Sequence, residues 1–94
     1  SPTIEVPSAE AAIQVVGPET VDLALFDMNM QTLTGLDAIR WVREHRLELP
    51  CILMSAHVTE ELESQALQLE TFSVLRKPPR RDQLLDTIHC ALEL

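Results

Sequence analysis

The run Val21-Asp22-Leu23-Ala24-Leu25-Phe26-Asp27 decides the fold. It has strand length, it is apolar from Leu23 to Phe26, and it stops at an acid. A strand that alternates apolar and polar residues shows one face to water. A strand that is apolar at consecutive positions is buried on both faces, which is the habit of parallel sheets. Two further runs share the pattern. Pro50-Cys51-Ile52-Leu53-Met54 is continuously apolar and ends at Ser55, and Phe72 to Arg76 (FSVLR) leads into Lys77-Pro78-Pro79.

Helical spacing fills the intervals between these runs. After a loop from Met28 to Thr34 comes Gly35. Leu36, Ile39 and Val42, with the stem of Arg43, then fall on one face of a helix that ends near His45-Arg46. Thr59 is placed to cap a second helix. Its first turn carries Glu60, Glu61 and Glu63, acids that suit a helix N-terminus, and Leu62, Ala66 and Leu69 form its apolar stripe. Asp82 opens a last helix with Leu84, Leu85, Ile88, Ala91 and Leu92 inward. Upstream of Val21, Thr3 to Val6 is a short extended run ending at Pro7. It is followed by a helix capped by Ser8, with Glu10 in its first turn and Ala11, Ala12, Val15 and Val16 inward, stopped by Gly17-Pro18. Strands alternating with helices predict an α/β fold, with a parallel sheet covered on both faces and right-handed crossovers.

The composition narrows the function classes. A chain of 94 residues buries about 60–65% of the surface that its unfolded form exposes, enough for one core and one site, so residues 1–94 are expected to form a single domain. Three aromatic residues, Phe26, Trp41 and Phe72, leave the core to aliphatic side chains. The formal charge is −8. Binding to a phosphate backbone needs the opposite balance, so direct nucleic-acid contact is not expected. Cys51 and Cys90 lie in apolar stretches without metal-ligand spacing and are expected to be buried free thiols, as in a reducing compartment. No apolar run approaches the ~20 residues of a membrane span. The expectation is a cytoplasmic protein.

In a doubly wound parallel sheet the working crevice lies at the carboxyl ends of the strands. Three strands end there at Asp27, Ser55 and Lys77, and Lys77 is the only lysine in the chain. A carboxylate, a hydroxyl and an ammonium together suit a tetrahedral anion. Aspartate is also a side chain that accepts a phosphoryl group covalently. Such a transfer brings negative charge toward negative charge, which a lysine and Mg2+ relieve.

These segments resemble the receiver domain of bacterial two-component response regulators. VDLALFDMNMQTLTGLDAI is similar to the segment around that family's phosphoacceptor. PCILMSA is similar to the next strand, and LRKP to the last. The resemblance implies a flavodoxin-like sheet with the order 2-1-3-4-5. It implies Asp27 as phosphoacceptor, the Ser55 hydroxyl and Ala56 N–H on the phosphoryl group, Lys77 paired with the phosphoryl oxygens, and a cis Pro78. It further implies Mg2+ as cofactor, held by Asp27 and the main-chain carbonyl of Asn29. The donor would be a histidine kinase or phosphotransfer protein, and the response a changed contact with an output domain or a second copy. A receiver accepts a phosphoryl group and sheds it by hydrolysis without being a conventional enzyme.

The sequence departs from that family in places. Receivers open with a strand ending in two acids that hold Mg2+, followed by a helix, and 26 residues before Asp27 leave no room for both. The first strand here matches the family's second, so the fold is expected to be N-terminally incomplete, and Glu5 and Glu10 are not placed to replace the acids. The missing strand would be central, so its neighbours must pair directly or leave a gap. Three explanations stand: residues missing from the sequence, a shortened receiver, or an element supplied by a partner. Gln31-Thr32 and Glu70-Thr71 stand where the family has Pro-Gly and Gly-Ala, and Val74 replaces its aromatic switch residue. Glu70 is expected at a helix end where glycine adopts the left-handed conformation.

These departures favour a rival reading, a degenerate receiver that binds a partner without being phosphorylated. A flavin-binding redox module is disfavoured by the lack of a phosphate-binding glycine loop. Among residues outside the three motifs, Trp41 falls off the helix stripe and is expected at a partner contact. His57 follows Ser55 near the crevice. The basic run Arg76-Lys77 and Arg80-Arg81 stands out in an acidic chain.

Overall fold

The computed structural model describes residues 3–6, 23–29, 33–45 and 48–93. Strand β1 is Thr3–Val6, β2 is Leu23–Asp27, helix α1 is Gly35–Glu44, β3 is Cys51–Ser55, α2 is Glu60–Gln68, β4 is Ser73–Arg76 and α3 is Arg81–Ala91. The helix expected between Ser8 and Val16 lies outside the described residues. No helix among them is long and apolar enough to cross a membrane.

The four strands form one parallel sheet in the order β1-β2-β3-β4. Removing the first strand from the order 2-1-3-4-5 leaves this sequence of neighbours. The gap is closed by direct pairing, with Thr3 opposite Leu23 and Val6 opposite Phe26. All positions of β3 are buried, as its continuous apolar run requires. Alternate residues feed two cores. Ala24, Phe26, Cys51 and Leu53 meet Leu36, Ile39 and Val42 of α1 and Leu62 and Ala66 of α2. Leu23, Leu25, Ile52, Met54 and Leu75 face the other way, under Leu84, Ile88 and Ala91 of α3 and its cap residue Leu92. The sheet is therefore covered on both faces.

Local chemistry sets the helix ends. Thr34 and Asp37 form a reciprocal capping box on α1: the Thr34 hydroxyl accepts the Asp37 N–H, and the Asp37 carboxylate accepts the Thr34 N–H. Those bonds to Thr34, with Arg40 adding to them, hold the Asp37 carboxyl below its ordinary value. The Thr59 hydroxyl accepts the Leu62 N–H at the start of α2, as expected. Helix α3 begins at Arg81 with Arg80 as its cap residue, one position before the Asp82 expected from the sequence. Asp82 sits in the first turn and pairs with the exposed Arg80.

Glu70, at φ 54°, occupies the left-handed position after α2, as the lost glycine implied. Its N–H donates to Leu67 O and that of Thr71 to Ala66 O, a Schellman closure built without glycine.

Three packing expectations are corrected: a buried Cys90, an inward Leu85 and a Trp41 off the helix stripe. Cys51 is buried but Cys90 is exposed on α3; neither forms a disulfide. Leu85 is 41% exposed rather than inward, because α3 rests on the sheet along the line of Leu84, Ile88 and Leu92. Trp41 is half-buried against the α1 core and stacks on His45 at 3.9 Å. The buried face of α1 includes Ala38, which widens the stripe toward Trp41.

Candidate functional site

Parallel strands in register bring their carboxyl ends to one edge. Asp27 closes β2, Ser55 closes β3, and Lys77 follows the last residue of β4. Asp27 pairs in register with Met54, and Ser55 with Arg76. The Lys77 N–H donates to Ser55 O at 2.8 Å, which extends the ladder one step beyond β4. Lys77–Pro78 is a cis peptide, as the resemblance implied.

The lysine then reaches back across β3. Its Nζ donates to Asp27 Oδ2 at 2.5 Å, an ion pair with both side chains only partly exposed. The other carboxylate oxygen, Oδ1, accepts the Asn29 N–H at 2.8 Å. Burial pushes the Asp27 carboxyl up, but the Lys77 hydrogen bond, the Asn29 N–H and the Lys77 charge outweigh it and hold the group below its ordinary value. Asp27 is thus an ionised carboxylate with both oxygens oriented.

The loop below it is anchored at each end. Met28 N–H donates to Met54 O at 2.7 Å, and Asn29 forms an antiparallel bridge with Thr34. Gly35 then passes so close to β2 that an added Cβ would lie 2.8 Å from Asp27 O and against Leu53 Cδ1. The sequence reading kept Gly35 only as a helix start. Its role is to let α1 approach the strand end that carries the acid.

Ser55 is buried at the same edge, but its hydroxyl is engaged locally. It donates to His57 O at 3.0 Å and accepts the His57 N–H at 3.2 Å. Ala56 and His57 follow it, both exposed. The structure therefore brings Asp27, Lys77 and Asn29 into direct contact. It places Ser55 at the end of the neighbouring strand, with Ala56 next in the chain, and no hydrogen bond joins the Ser55 hydroxyl to Asp27 or Lys77. Arg76, Arg80 and Arg81 are exposed next to Lys77.

Mg2+ sheds its waters reluctantly and is held by carboxylates and phosphates. No three metal-ligating side chains converge among the described residues. The carboxylate that faces the cleft, Asp27, is already balanced by an ammonium. The described residues do not by themselves fit a magnesium site.

Arg43, placed by the sequence only through its stem on the helix stripe, also shapes this half of the molecule. Arg43 of α1 donates to Leu69 O at 2.8 Å, Leu49 O at 2.9 Å and Glu70 O at 3.0 Å. It clasps the end of α2 to the start of β3. Its half-buried place in the helix stripe was the only signal in the sequence.

Comparison with known proteins agrees with this geometry. The family model for the response regulator receiver domain matches residues 3–89. The chain is 34% identical over 70 residues to the transcriptional regulatory protein TdiR of Thauera aromatica, covering 74% of this chain and 31% of TdiR. It is 33% identical over 73 residues to the regulatory protein AtoC of Escherichia coli K12, covering 78% of this chain and 16% of AtoC. The chain thus spans less than a third of these regulators. Among solved structures, the receiver domain of HemR from Leptospira biflexa superposes with a TM-score of 0.84 at 17% identity, covering 94% of this chain and 71% of that one. A CheY-like receiver from Methanospirillum hungatei JF-1 gives 0.82 at 21%, covering 92% and 69%. Parallel strands that end in a paired aspartate and lysine, a cis proline after that lysine and a family match over nearly the whole chain lead to one conclusion: this chain belongs to the response regulator receiver domain family.

Proposed function

We propose that Asp27 accepts a phosphoryl group from a histidine kinase or phosphotransfer protein, and that this changes the domain's contact with an output domain or a second copy. The observation that carries the proposal is the Asp27–Lys77 ion pair at the carboxyl edge of the sheet. A carboxylate oxygen of Asp27 attacks the phosphorus of the donor. The P–N bond of a phosphohistidine breaks, its electron pair returns to the imidazole nitrogen, and an O–P bond forms on Asp27. Lys77 moves from the carboxylate to the incoming phosphoryl oxygens, a charge-assisted contact that strengthens as the added charge arrives. The Ser55 hydroxyl exchanges its bond to His57 O for one to the phosphoryl group, and the Ala56 N–H adds a second donor. Relatives such as TdiR carry transcriptional regulation in their names, which makes a transcriptional output module a natural partner and the cytoplasm its natural setting.

The engaged Ser55 hydroxyl and the lack of three converging metal-ligating side chains among the described residues support a second reading, a receiver fold that binds partners without phosphorylation. Incubation with acetyl phosphate and Mg2+, followed by intact mass, separates the two. The first reading predicts the gain of one phosphoryl group, lost in Asp27→Asn. A folded chain that gains none supports the second.

A further inference from the structure

At the opposite edge of the sheet, where the strands begin, lies an open groove of about 720 Å3. Its walls are the segments leading into β3 and β4 and the end of α2. Leu49, Pro50, Leu69 and Phe72 supply apolar lining, and Glu48 and Glu70 stand exposed at its rim. None of these residues belongs to the Asp27 site.

Phe72 is 47% exposed here, although the chain has only three aromatic residues. Leu67, in the last turn of α2, is 76% exposed. Half-exposed aromatic side chains beside a concave apolar surface are the usual anchors of interfaces. The electrostatics have a sign as well. Helices α1 and α2 both end at this corner, and helix C-termini carry partial negative charge. Glu44, Glu48 and Glu70 add to it. Arg43 offsets part of it and turns its guanidinium to three main-chain carbonyls of the floor. On a chain of charge −8, the described groups at this corner, Arg43 against Glu44, Glu48 and Glu70, leave negative charge in excess.

We propose that the groove docks a partner segment that presents a large apolar side chain between lysines or arginines. The apolar side chain seats against Phe72 and Leu69, and the flanking cations meet Glu48, Glu70 and the helix ends.

The probe is an acetylated heptapeptide with a Leu-Phe-Leu centre and two lysines on each side, titrated into the 15N-labelled chain. The control peptide has glutamates in place of the lysines. The lysine peptide is expected to shift the amides of Leu49, Leu69, Glu70 and Phe72 saturably, with a Kd below about 1 mM, and the glutamate peptide to leave them unmoved. Phe72→Ser is expected to weaken binding at least about tenfold. Glu48→Lys, an exposed change that leaves the apolar lining intact, is expected to weaken it as well. No binding, shifts centred elsewhere, equal binding of both peptides, or affinity unchanged in both variants would each overturn the proposal.

Discussion

Asp27 is ionised and held between two donors, Lys77 Nζ and Asn29 N–H. Its folded pKa is lowered, so the folded state binds this proton less readily than the unfolded chain does. The pair's contribution to stability is therefore full above the ordinary carboxylate range and is lost as the pH falls through that range toward the lowered value. Lys77→Ala removes the leading stabilising partner while burial remains. In that variant the Asp27 carboxyl, followed by its 13C shift, is expected to titrate at higher pH than in the parent, and the acid end of the stability curve is expected to flatten. An unmoved titration would mean that the ion pair does not form in solution. Cys51 supplies a second residue-level check. Burial pushes its thiol up to about 11, with the Arg43 charge pulling weakly the other way. Cys90 is exposed. A thiol reagent at neutral pH is expected to label Cys90 at once and Cys51 only on unfolding. Equal labelling in the folded chain would contradict this packing.

At the scale of elements, two backbone positions hold the site and the groove in place. Gly35 has no positive φ; it is needed for closeness, since a Cβ there meets the Asp27 carbonyl, which cannot swing away. Gly35→Ala is expected to cost about 1–3 kcal/mol by overpacking, read from urea unfolding, and to shift the amides of Met28 and Asn29. Glu70 is the reverse case. It holds a left-handed conformation that glycine adopts freely. Glu70→Gly is expected to stabilise the chain by about 0.5–1 kcal/mol, seen as a higher Tm, and a lower Tm would contradict the Schellman closure.

The strands and helices themselves were largely legible in the sequence, because continuous apolar runs and 3.6-residue spacing act locally. The misses have two causes, one within an element and one between elements. Cys90 has apolar neighbours along the chain but lies on the exposed face of α3. Trp41 falls off the stripe of Leu36, Ile39 and Val42 but beside the one that Ala38 widens. Gly35's close approach and Arg43's contacts with Leu69 and Glu70 exist only once separate segments meet, whereas the Ser55–His57 bonds form locally, two residues apart in the turn that follows the strand. The three strand-end residues were visible beforehand, since parallel topology alone sends Asp27, Ser55 and Lys77 to one edge.

At the scale of the molecule, the sheet divides the labour of its two edges. The carboxyl edge holds the Asp27–Lys77 pair beside the exposed Arg76, Arg80 and Arg81. The starting edge holds the acidic, apolar groove around Phe72. Direct pairing of β1 with β2 keeps the sheet continuous between them. The central claim is that Asp27 is the residue that takes the phosphoryl group. Borohydride reduces an acyl phosphate to an alcohol, which would leave homoserine in place of the modified aspartate. The chain would be treated with acetyl phosphate and Mg2+, reduced, digested and sequenced by mass. The account predicts homoserine at position 27, and none in Asp27→Asn. Homoserine at another acid, or none in a chain shown to be folded, would contradict it.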